Sequence, residues 1–525
     1  MHWRLLLVGI FWFVLQTKAQ ELNWQWGSFQ RNKGQLIDIM PAQKGAFSTI
    51  HATNQLGGGN NVLTQFDALQ AVNSVRIKPV SPEGYGYYVQ TLRQNNKHLV
   101  FIADRNGKEM KLFMKVLDAE NNEIEFRELL SYTDPRPNSL PDFNVIEAPN
   151  KAFFAVYYQI PGKRNGTDTY GYQLYNAQGE ARNGGEYNLP FDANLSSIED
   201  VFLTNNGEFF IGIIELEAIE NQGIRVQKSF KNLHVYQFNQ EGLKDYTFDL
   251  EGKRISNFVM NSQLADRLTL FGIYSNSEWD GMQDGFFSVQ LNLTADTAMA
   301  IGFLPFSPSI MLSEFRSNEQ SRIQNRMDRR NEDPQLSRYQ VRDIFTLPDG
   351  SYVGSLEKYY VYTSTNINNQ TGQRMTTSYY HFNDIIAFCI DTSGHLKWEQ
   401  RISKNQVSVN DYGPFSSYCS FTDQNSLNFI FNDAAANYDQ DGKFRSNLEE
   451  VATFSLTRNR NVGAWVRIDL QTGLVERKVS HQRAEQNILL VPKTFEFDVL
   501  NHQILTYGVL GPQEIFGYIE LQNKP

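Results

Sequence analysis

One short phrase recurs along this chain: an apolar residue, then Asp or Asn, then a turn that often carries Gly, then another strand-like run. It occurs at Phe66-Asp67, Leu117-Asp118, Tyr175-Asn176, Phe238-Asn239, Leu291-Asn292, Ile390-Asp391, Ile468-Asp469 and Ile519-Glu520. A unit of this length cannot bury its apolar face alone, so its repetition predicts sheets that stack on one another.

Between these phrases lie pairs of strand-like runs, rich in β-branched and aromatic residues and separated by turn residues. Examples are Phe143 to Ile146 with Phe153 to Tyr158, and Val341 to Leu347 with Tyr352 to Leu356. Each unit therefore consists of a hairpin, a third strand, the Asp/Asn turn and a fourth strand. Four antiparallel strands per unit predict an all-β chain with the blades of a β-propeller.

The spacing of the Asp/Asn position indicates how many blades there are. Most intervals are 51 to 63 residues, and the two longer ones are 99 and 78 residues. The 99-residue interval is explained by a charged insertion at about 307–338 and a polar loop from Thr363 to Thr377. The count predicts eight four-stranded blades, with seven as the alternative.

The last copy of the phrase lacks a fourth strand, because only five residues follow Glu520. Leu22-Asn23-Trp24 resembles Leu396-Lys397-Trp398, which begins a fourth strand in the sixth blade. We therefore expect residues 22–31 to complete the C-terminal blade and close the ring, which would remove an exposed sheet edge. The alternative is an edge strand or a loose tail.

The N-terminus has the pattern of a secretory signal peptide over residues 1–19, with Arg4, an apolar run from Leu5 to Leu15 and a small-residue cleavage site at Ala19. The apolar run is too short to span a bilayer. We expect residues 20–525 to form one exported propeller domain. It would be periplasmic or associated with the outer membrane, with an extracellular location as the alternative.

The chain has a formal net charge of −10 at pH 7, which argues against nucleic acid or anionic lipid as the main partner. Its one basic cluster lies in the charged insertion and predicts a solvated helix or loop that serves as an interaction arm. The arm residues are Arg316, Arg322, Arg326, Arg329 and Arg330. The only cysteines, Cys389 and Cys419, are expected on different sheets, and free thiols are favoured over a bridge.

Signatures of catalysis are missing from the sequence: it contains no HExxH, GxSxG or GxxxxGK[ST] motif. The stretch Asn437, Asp439, Asp441 and Gly442 resembles the first half of a calcium loop, but Leu448 occupies the position of the bidentate Glu. A polar hairpin explains the same residues. The sequence therefore predicts no cofactor and no metal, with calcium as a weak candidate.

The sixth and seventh blades carry the densest polar and aromatic content, which predicts a binding surface at one mouth of the ring. Its candidate residues are Glu357, Tyr359, Tyr360, Asn383, Asp384, Lys404, Gln406, Asp411, Tyr418, Asn432, Asp433 and Asn437. In the alternative interpretation, these polar side chains tie blades together by hydrogen bonding to turn backbone.

Two turns resemble the blade repeats of PQQ-type propellers, in which Asp-x-x-Thr-Gly precedes a Trp that docks on the neighbouring blade. Asp469, Thr472 and Gly473 fit this pattern with Arg477 in place of Trp, and Asp391 and Trp398 fit it with a shorter turn. The resemblance implies the fold and not the quinone.

A second resemblance spans Glu357 to Asn437. The succession Glu-x-Tyr-Tyr, Asn-Asp-Ile, Lys-x-Gln, Ser-Ser-Tyr and Phe-Asn-Asp is similar to that of an uncharacterised family of exported β-propeller proteins from Bacteroidota-type Gram-negative bacteria. Ser403 stands where that family commonly has Pro. The resemblance implies no activity.

These observations favour a non-catalytic binding or scaffold propeller of the cell envelope, with an envelope or outer-membrane protein as its partner. The alternative is a glycan-binding protein or a glycoside-active enzyme. A glycoside hydrolase needs two carboxylates across one pocket, and Asp384, Asp411 and Asp433 are the candidates.

Overall fold

The computed structural model describes residues 22–53, 60–136, 138–162, 166–219, 227–239, 242–262, 267–276, 281–295, 297–330, 335–367, 373–499 and 501–521. The predicted signal peptide lies outside this part of the chain. The described residues are mostly in β-strands, and their main sheets are antiparallel and follow one another along the sequence.

Seven sheets of the described residues have four strands each, hydrogen-bonded in sequence order. Sheet 1 comprises Gln35–Pro41, Phe47–Ala52, Asn61–Asp67 and Gln70–Ile77. Sheet 2 comprises Tyr87–Gln94, Lys97–Asn106, Glu109–Leu117 and Glu123–Thr133. Sheet 3 comprises Phe143–Glu147, Phe153–Ile160, Thr167–Asn176 and Ala181–Asp192. Sheet 4 comprises Ser196–Leu203, Phe209–Ile219, Gln227–Asn239 and Gly242–Thr247.

Sheets 5 to 7 continue the series. Sheet 5 comprises Arg254–Asn261, Arg267–Ser275, Gly285–Asn292 and Thr297–Pro305. Sheet 6 comprises Tyr339–Thr346, Tyr352–Ile367, Arg374–Ile390 and Leu396–Val409. Sheet 7 comprises Cys419–Thr422, Ser426–Ala434, Asn461–Asp469 and Val475–His481.

Sheet 8 joins the two ends of the described chain. Its C-terminal strands are Leu489–Leu490, Glu496–Asp498, Gln503–Leu510 and Gln513–Glu520, and its N-terminal strands are Asn23–Trp26 and Gln30–Arg31. Asn23 pairs with Glu520, and Gln30 pairs with Glu514. The two N-terminal strands therefore pair with the last strand of the described chain.

The recurring Asp/Asn phrase marks the same place in every sheet, because all eight copies lie where the third strand ends. The side chain then caps the turn that follows. The Asp391 Oδ1 atom accepts hydrogen bonds from the Ser393 and His395 amides at 2.8 and 2.9 Å, and Asp118 does the same for its own turn. This is the local bonding that favours Asp and Asn in turns.

Apolar clusters lie between consecutive sheets rather than inside them. Eight clusters of described residues each join two neighbouring sheets, and one of these joins sheet 8 back to sheet 1. In that cluster, Phe66 of sheet 1 lies 4.9 Å from Phe516 of sheet 8, centroid to centroid, and stacks on Phe47 at 4.5 Å. Four-stranded antiparallel sheets packed face to face in succession are consistent with a β-propeller.

The charged insertion contains two helices and ends in a short strand, Leu336–Ser337. Helix α1 spans Pro308–Ser313 and helix α2 spans Ser317–Arg330. Ser307 caps α1, and its amide donates to Glu399 of sheet 6 at 2.8 Å. The remaining elements are helix α3 at Arg483–Gln486, five 3-10 turns (Gln43–Gly45, Ala193–Leu195, Ala435–Asn437, Arg458–Arg460 and Pro492–Thr494), and the short strand pairs Val80–Ser81 with Gly84–Tyr85 and Met282–Gln283 with Leu336–Ser337.

Sheet 6 departs from the expected pattern. The sequence predicted a polar loop from Thr363 to Thr377, but the second and third strands run to Ile367 and resume at Arg374. Thr365 and Thr376 face each other across the two strands, with their hydroxyl oxygens 3.2 Å apart. β-Branched Thr favours strand, which explains why this polar segment forms a hairpin.

The two cysteines lie on neighbouring sheets as free thiols, Cys389 in sheet 6 and Cys419 in sheet 7. Burial raises the pKa of the Cys389 thiol to about 11, so it behaves as a small apolar side chain. Among the described helices, none has the length and apolar character that a membrane crossing requires.

Candidate functional site

The twelve residues of the predicted binding surface lie close together in sheets 6 and 7, but at different depths. Eight are buried: Glu357, Asp384, Lys404, Gln406, Tyr418, Asn432, Asp433 and Asn437. Tyr359, Tyr360 and Asn383 are half-buried, and Asp411 is exposed. Whether they bind a partner stays a prediction, and the bonds of the buried set show what it does within the fold.

The centre of the buried set is an ion pair with no exposed side-chain surface. The Lys404 Nζ atom lies 2.7 Å from the Glu357 Oε1 atom, and it also donates to the Phe382 carbonyl and to Gln406. The second Glu357 oxygen lies 2.8 Å from the Arg342 guanidinium. Burial lowers the pKa of Lys404, and the attraction of Glu357 opposes that shift.

This buried network holds a loop, residues 410–417, that connects sheet 6 to sheet 7. The Ser417 amide donates to the Gln406 Oε1 atom at 2.7 Å, and its hydroxyl donates to Glu357 at 2.8 Å. The Asn432 amide group donates to the Phe415 carbonyl at 2.9 Å. The buried site residues therefore hold the 410–417 loop in place through hydrogen bonds.

The 410–417 loop has an unusual backbone. Asn410, Tyr412 and Ser417 have φ values of 56°, 61° and 67°. Side-chain-bearing residues rarely adopt this left-handed region, and for a bulky residue such as Tyr it costs roughly 1–3 kcal/mol. Such strain persists where the surroundings fix the conformation, and it clusters at binding sites.

The strained loop forms one wall of a cavity of about 810 Å³ between sheets 1 and 8. The apolar lining residues are Leu36, Pro414, Phe415, Val491 and Val509. The polar lining residues are Asn32, Gln35, Asn410, Asp411, Lys493 and Thr494. A concave site of this size with a few polar groups on an apolar lining is typical of a ligand-binding site.

Lys493 stabilises the loop from the opposite wall. Its Nζ atom donates to the Gly413 carbonyl at 2.7 Å and to the Tyr412 carbonyl at 3.3 Å. Burial lowers the pKa of Lys493, and attraction to Asp411 opposes part of that shift. Asp411 is the only carboxylate among the described residues that line the cavity. Asp384 and Asp433 pair with Arg401 and Arg477 instead.

The hairpin of sheet 6 projects beside this cavity. Its second and third strands are 16 and 17 residues long, and beyond Tyr379 the fourth strand no longer pairs with them. The projecting part exposes Val361, Tyr362, Ile367 and Met375 by 45 to 64%. We call the described residues 359–367 and 373–382 the projecting hairpin.

Aromatic pairs stiffen the base of the projecting hairpin. Tyr360 stacks on His381 with 4.3 Å between ring centroids, and Arg338 covers the other side of the Tyr360 ring at 4.4 Å. Tyr380 contacts Tyr412 of the 410–417 loop at 5.0 Å. The hairpin and the loop therefore form one continuous surface.

The side chains of the calcium candidates Asn437 and Asp439 form hydrogen bonds within the fold. Asp439 accepts the Asp441 and Lys443 amides at 3.0 and 2.8 Å, and the Asn437 side chain bonds Asp433 and Ala452. Within the described residues, no three His, Cys, Asp or Glu side chains come together as a metal site.

The predicted arm contacts the connection between the second and third strands of sheet 7. Arg316 and Arg322 are exposed, and Arg316 pairs at 2.6 Å with Glu450 of that connection. Arg326, Arg329 and Arg330 lie in α2, and their side chains lie outside the described part. Half-buried Glu314 fixes the start of this segment through Lys358 and Tyr339.

A set of hydrogen bonds between the first strands of neighbouring sheets was not predicted from the sequence. Asp200 accepts from the Met260 amide at 2.6 Å, and Asn257 accepts from the Val341 amide at 2.9 Å. Asp343 accepts from the Ser420 hydroxyl. Each acceptor follows a β-bulge in its first strand. The repeated signal, an apolar residue followed two positions later by Asp or Asn, was visible in the sequence.

Comparison with known proteins adds little beyond the fold. No family model matches the chain, and no curated protein matches its sequence. Solved structures that it resembles include the β-propeller domain of the Trilobed protease from Pyrococcus furiosus, at 11% identity and a TM-score of 0.30, covering 71% of this chain and 96% of that one. A member of the DUF4221 family from Bacteroides vulgatus gives 9% identity and a TM-score of 0.29, covering 78% of this chain and 92% of that one.

A third similar structure is dipeptidyl peptidase 4 from Porphyromonas gingivalis, at 8% identity and a TM-score of 0.35, covering 92% of this chain and 65% of that one. These neighbours include an enzyme and a protein classed only by its family, so they assign no function. Because no family model matches the chain, the resemblance of Asp469 and Trp398 to PQQ-type propeller repeats stays a prediction.

Proposed function

We propose that this protein is an eight-bladed β-propeller, closed by its N-terminal strand, that binds a protein partner of the cell envelope without catalysis. The partner would dock on the projecting hairpin of sheet 6. The observation that carries this proposal is the hairpin itself: it extends beyond its sheet, exposes apolar and aromatic side chains, and is nearly free of charge.

Eight blades are supported by the eight sheets and by the eight apolar clusters that link them in sequence order. Closure is supported by the pairing of Asn23 to Trp26 with the last strand. The buried pair of His51 in sheet 1 and Glu514 in sheet 8, 2.9 Å apart, adds a second link between the ends of the described chain.

The composition of the projecting hairpin is that of a protein interface. Between Tyr359 and Phe382, Arg374 is the only Asp, Glu, Lys or Arg residue, although 20% of the chain is charged. Interface cores are depleted of charge and enriched in Tyr and Met. The exposed edges of a hairpin also offer backbone groups to a partner strand.

An exported location supports an envelope partner, since the sequence pattern of residues 1–19 is that of a signal peptide. We propose the periplasm or the outer membrane as its site. The exposed Arg316 and Arg322 beside sheet 7 would form a second, positively charged contact. This contact would suit an acidic patch on the same partner.

The proposal is tested by capture from envelope fractions of the native host with the full mature chain as bait. Tyr362→Ser together with Met375→Ser should weaken recovery of the captured protein at least about tenfold, because aromatic anchors dominate interfaces. Val72→Ser and Leu474→Ser are matched controls, since these side chains are 63 and 70% exposed on sheets 1 and 7.

Cross-links from the captured protein should map to the projecting hairpin. Equal recovery by the hairpin variant and by the controls would contradict the proposal, as would cross-links confined to other sheets. A wild-type bait that recovers no protein above background would contradict it as well.

A further inference from the structure

The cavity of about 810 Å³ beside the hairpin has features that the docking of a protein does not use. We propose that it is a binding site for an uncharged oligosaccharide of a few rings, held between the 410–417 loop and the wall that carries Lys493. This proposal does not rest on the protein interface proposed above.

The charge of the lining favours a neutral ligand. Asp411 and Lys493 are the only charged residues among the described lining residues, and their charges cancel. The Lys493 ammonium already donates to two loop carbonyls. An anionic ligand would meet one partly engaged cation and one carboxylate, which is a poor anion site.

The polar groups match hydroxyls. The lining carries the side-chain amides of Asn32, Gln35 and Asn410, the hydroxyl of Thr494 and the carboxylate of Asp411. Within the fold, the Asn32 side chain bonds the Gly34 amide and the Tyr507 hydroxyl, the Asn410 oxygen accepts from the Ser378 amide, and the Thr494 hydroxyl donates to the Val491 carbonyl. The Gln35 amide, the Asn410 NH2 group and further acceptor positions on Asp411 and Thr494 are the groups that a ligand would use. Amides both donate and accept, and a carboxylate accepts, so together they can satisfy the paired donor and acceptor roles of sugar hydroxyls. The Asp411 Oδ1 atom accepts from the Gly413 amide at 3.0 Å, which fixes the carboxylate at the rim.

An aromatic platform stands at the rim of the cavity. Tyr412 is 74% exposed, although its φ of 61° places it in a strained conformation. On one side its ring contacts Tyr380. The C–H faces of sugars are apolar and stack on aromatic faces, which carry the negative part of the ring quadrupole. Holding Tyr412 in this strained and exposed conformation lowers the stability of the fold. Strain of this kind is typical of binding sites, which supports a ligand that stacks on the ring.

The volume sets the size of the ligand. Ligand sites commonly enclose about 300–1,000 Å³, and this cavity falls in the upper part of that range. The apolar side chains of Pro414, Phe415 and Val509 give further surface for the C–H groups of successive rings.

The test uses the full mature chain and titration calorimetry with maltotriose, cellotriose and triacetylchitotriose, and with trigalacturonate as the acidic counterpart. At least one neutral trisaccharide should bind with a Kd of about 1 mM or tighter. Tyr412→Asn should weaken that binding at least about tenfold, because Asn tolerates the left-handed backbone but has no ring. Tyr412→Phe should stay within about threefold of the wild type, since the ring is kept.

Tyr87→Asn is the matched control, because it removes a 37% exposed tyrosine of sheet 2 that does not line the cavity. Val509→Phe reduces the cavity from the sheet 8 side without altering the loop, and it should also abolish binding. The proposal is overturned if no neutral trisaccharide binds, if trigalacturonate binds more tightly, or if Tyr412→Asn and Val509→Phe both bind as the wild type does.

Discussion

Acids on first strands make the stability of this protein depend on pH, and half-buried Glu147 gives the clearest test. Desolvation raises the pKa of Glu147 from 4.5 to about 7, with Lys151 opposing the shift and Asp38 adding to it. Desolvation likewise raises the pKa of half-buried Asp38 to about 6, and the pKa of Glu496 shifts in the same direction although its side chain is exposed. The charge of Asp38 acts on both glutamates, so the three carboxyls titrate together.

The direction of the effect follows from proton binding. An acid whose pKa is raised on folding binds protons more readily in the folded state, so it contributes relative stability at low pH. For Glu147 that contribution is fully present below its unfolded pKa of 4.5 and is lost as the pH rises to about 7. The contribution of Glu147 to the free energy of unfolding should therefore fall between pH 5 and pH 8.

The magnitude comes from the size of the shift. A rise from 4.5 to about 7 corresponds to at most about 3 kcal/mol at about 1.36 kcal/mol per pKa unit. The Glu147 side chain keeps 20% of its surface exposed, and its neighbours titrate with it. We expect about 1–2 kcal/mol from this residue.

The assay is denaturant unfolding of the wild type and Glu147→Gln at pH 5, 6, 7 and 8. Glutamine keeps the Oε1 acceptor of the bond from Gln94, which is 2.6 Å long, and removes the titration. The loss of unfolding free energy between pH 5 and pH 8 should be about 1–2 kcal/mol smaller in Glu147→Gln. Glu476→Gln, an exposed residue of sheet 7, should behave as the wild type. Equal pH dependence in all three proteins would refute the reasoning.

Three further perturbations test the fold and the buried network. Lys404→Met should lower the free energy of unfolding by about 3 kcal/mol, because it leaves its carboxylate partner buried with one counter-charge fewer; denaturant unfolding measures it, and a loss below about 1 kcal/mol would contradict the structure. Gly473→Ala should cost about 1–3 kcal/mol, since its φ is 70° and a Cβ atom would lie 2.8 Å from the Trp398 side chain. Gly394→Ala, with a φ of 81° and open space around the Cβ position, isolates the contact and should cost less. Deletion of residues 22–31 should lower the melting temperature and promote self-association through the uncovered strand, as seen by size-exclusion chromatography, and an unchanged monomer with unchanged melting would contradict the proposed closure.

The sheets could be predicted because the apolar-Asp/Asn phrase marks the end of the third strand in each of them. Ile390-Asp391 and Ile468-Asp469 end strands at the expected turn, where the Asp side chain bonds the turn backbone. The length of the sheet 6 strands was not predictable in the same way. Residues 363–377 lack alternation of apolar and polar residues, and only pairing between the two strands decides that they form a hairpin.

The burial of the site residues was harder to predict from the sequence than the strands were. Glu357 and Lys404 were predicted at a mouth of the ring, since charged side chains are usually exposed. Their burial depends on Arg342, which supplies the second charge from the neighbouring strand. A sequence shows charged residues but does not show which of them meet, so the loop and the cavity that this network supports were not predictable from the sequence. Lys493 and Tyr412 were missed for that reason.

A buried lysine at position 404 follows from the way sheet 6 bends. The pairing of the third and fourth strands shifts register between Asn383 and Ile385, and the second strand shifts at the same level. Such a bulge re-aims a strand and leaves backbone groups unpaired. The Lys404 ammonium bonds the Phe382 carbonyl, and its amide donates to Asp384 at 2.9 Å.

Ser403 lies in the same bulge, between the paired residues Ile402 and Asn405. From this bulge the second and third strands continue into the projecting hairpin, and the 410–417 loop is tied to Glu357 through Ser417. One irregularity in the strand pairing therefore positions both the proposed protein interface and the proposed saccharide site, and a change at Lys404 should disturb both together.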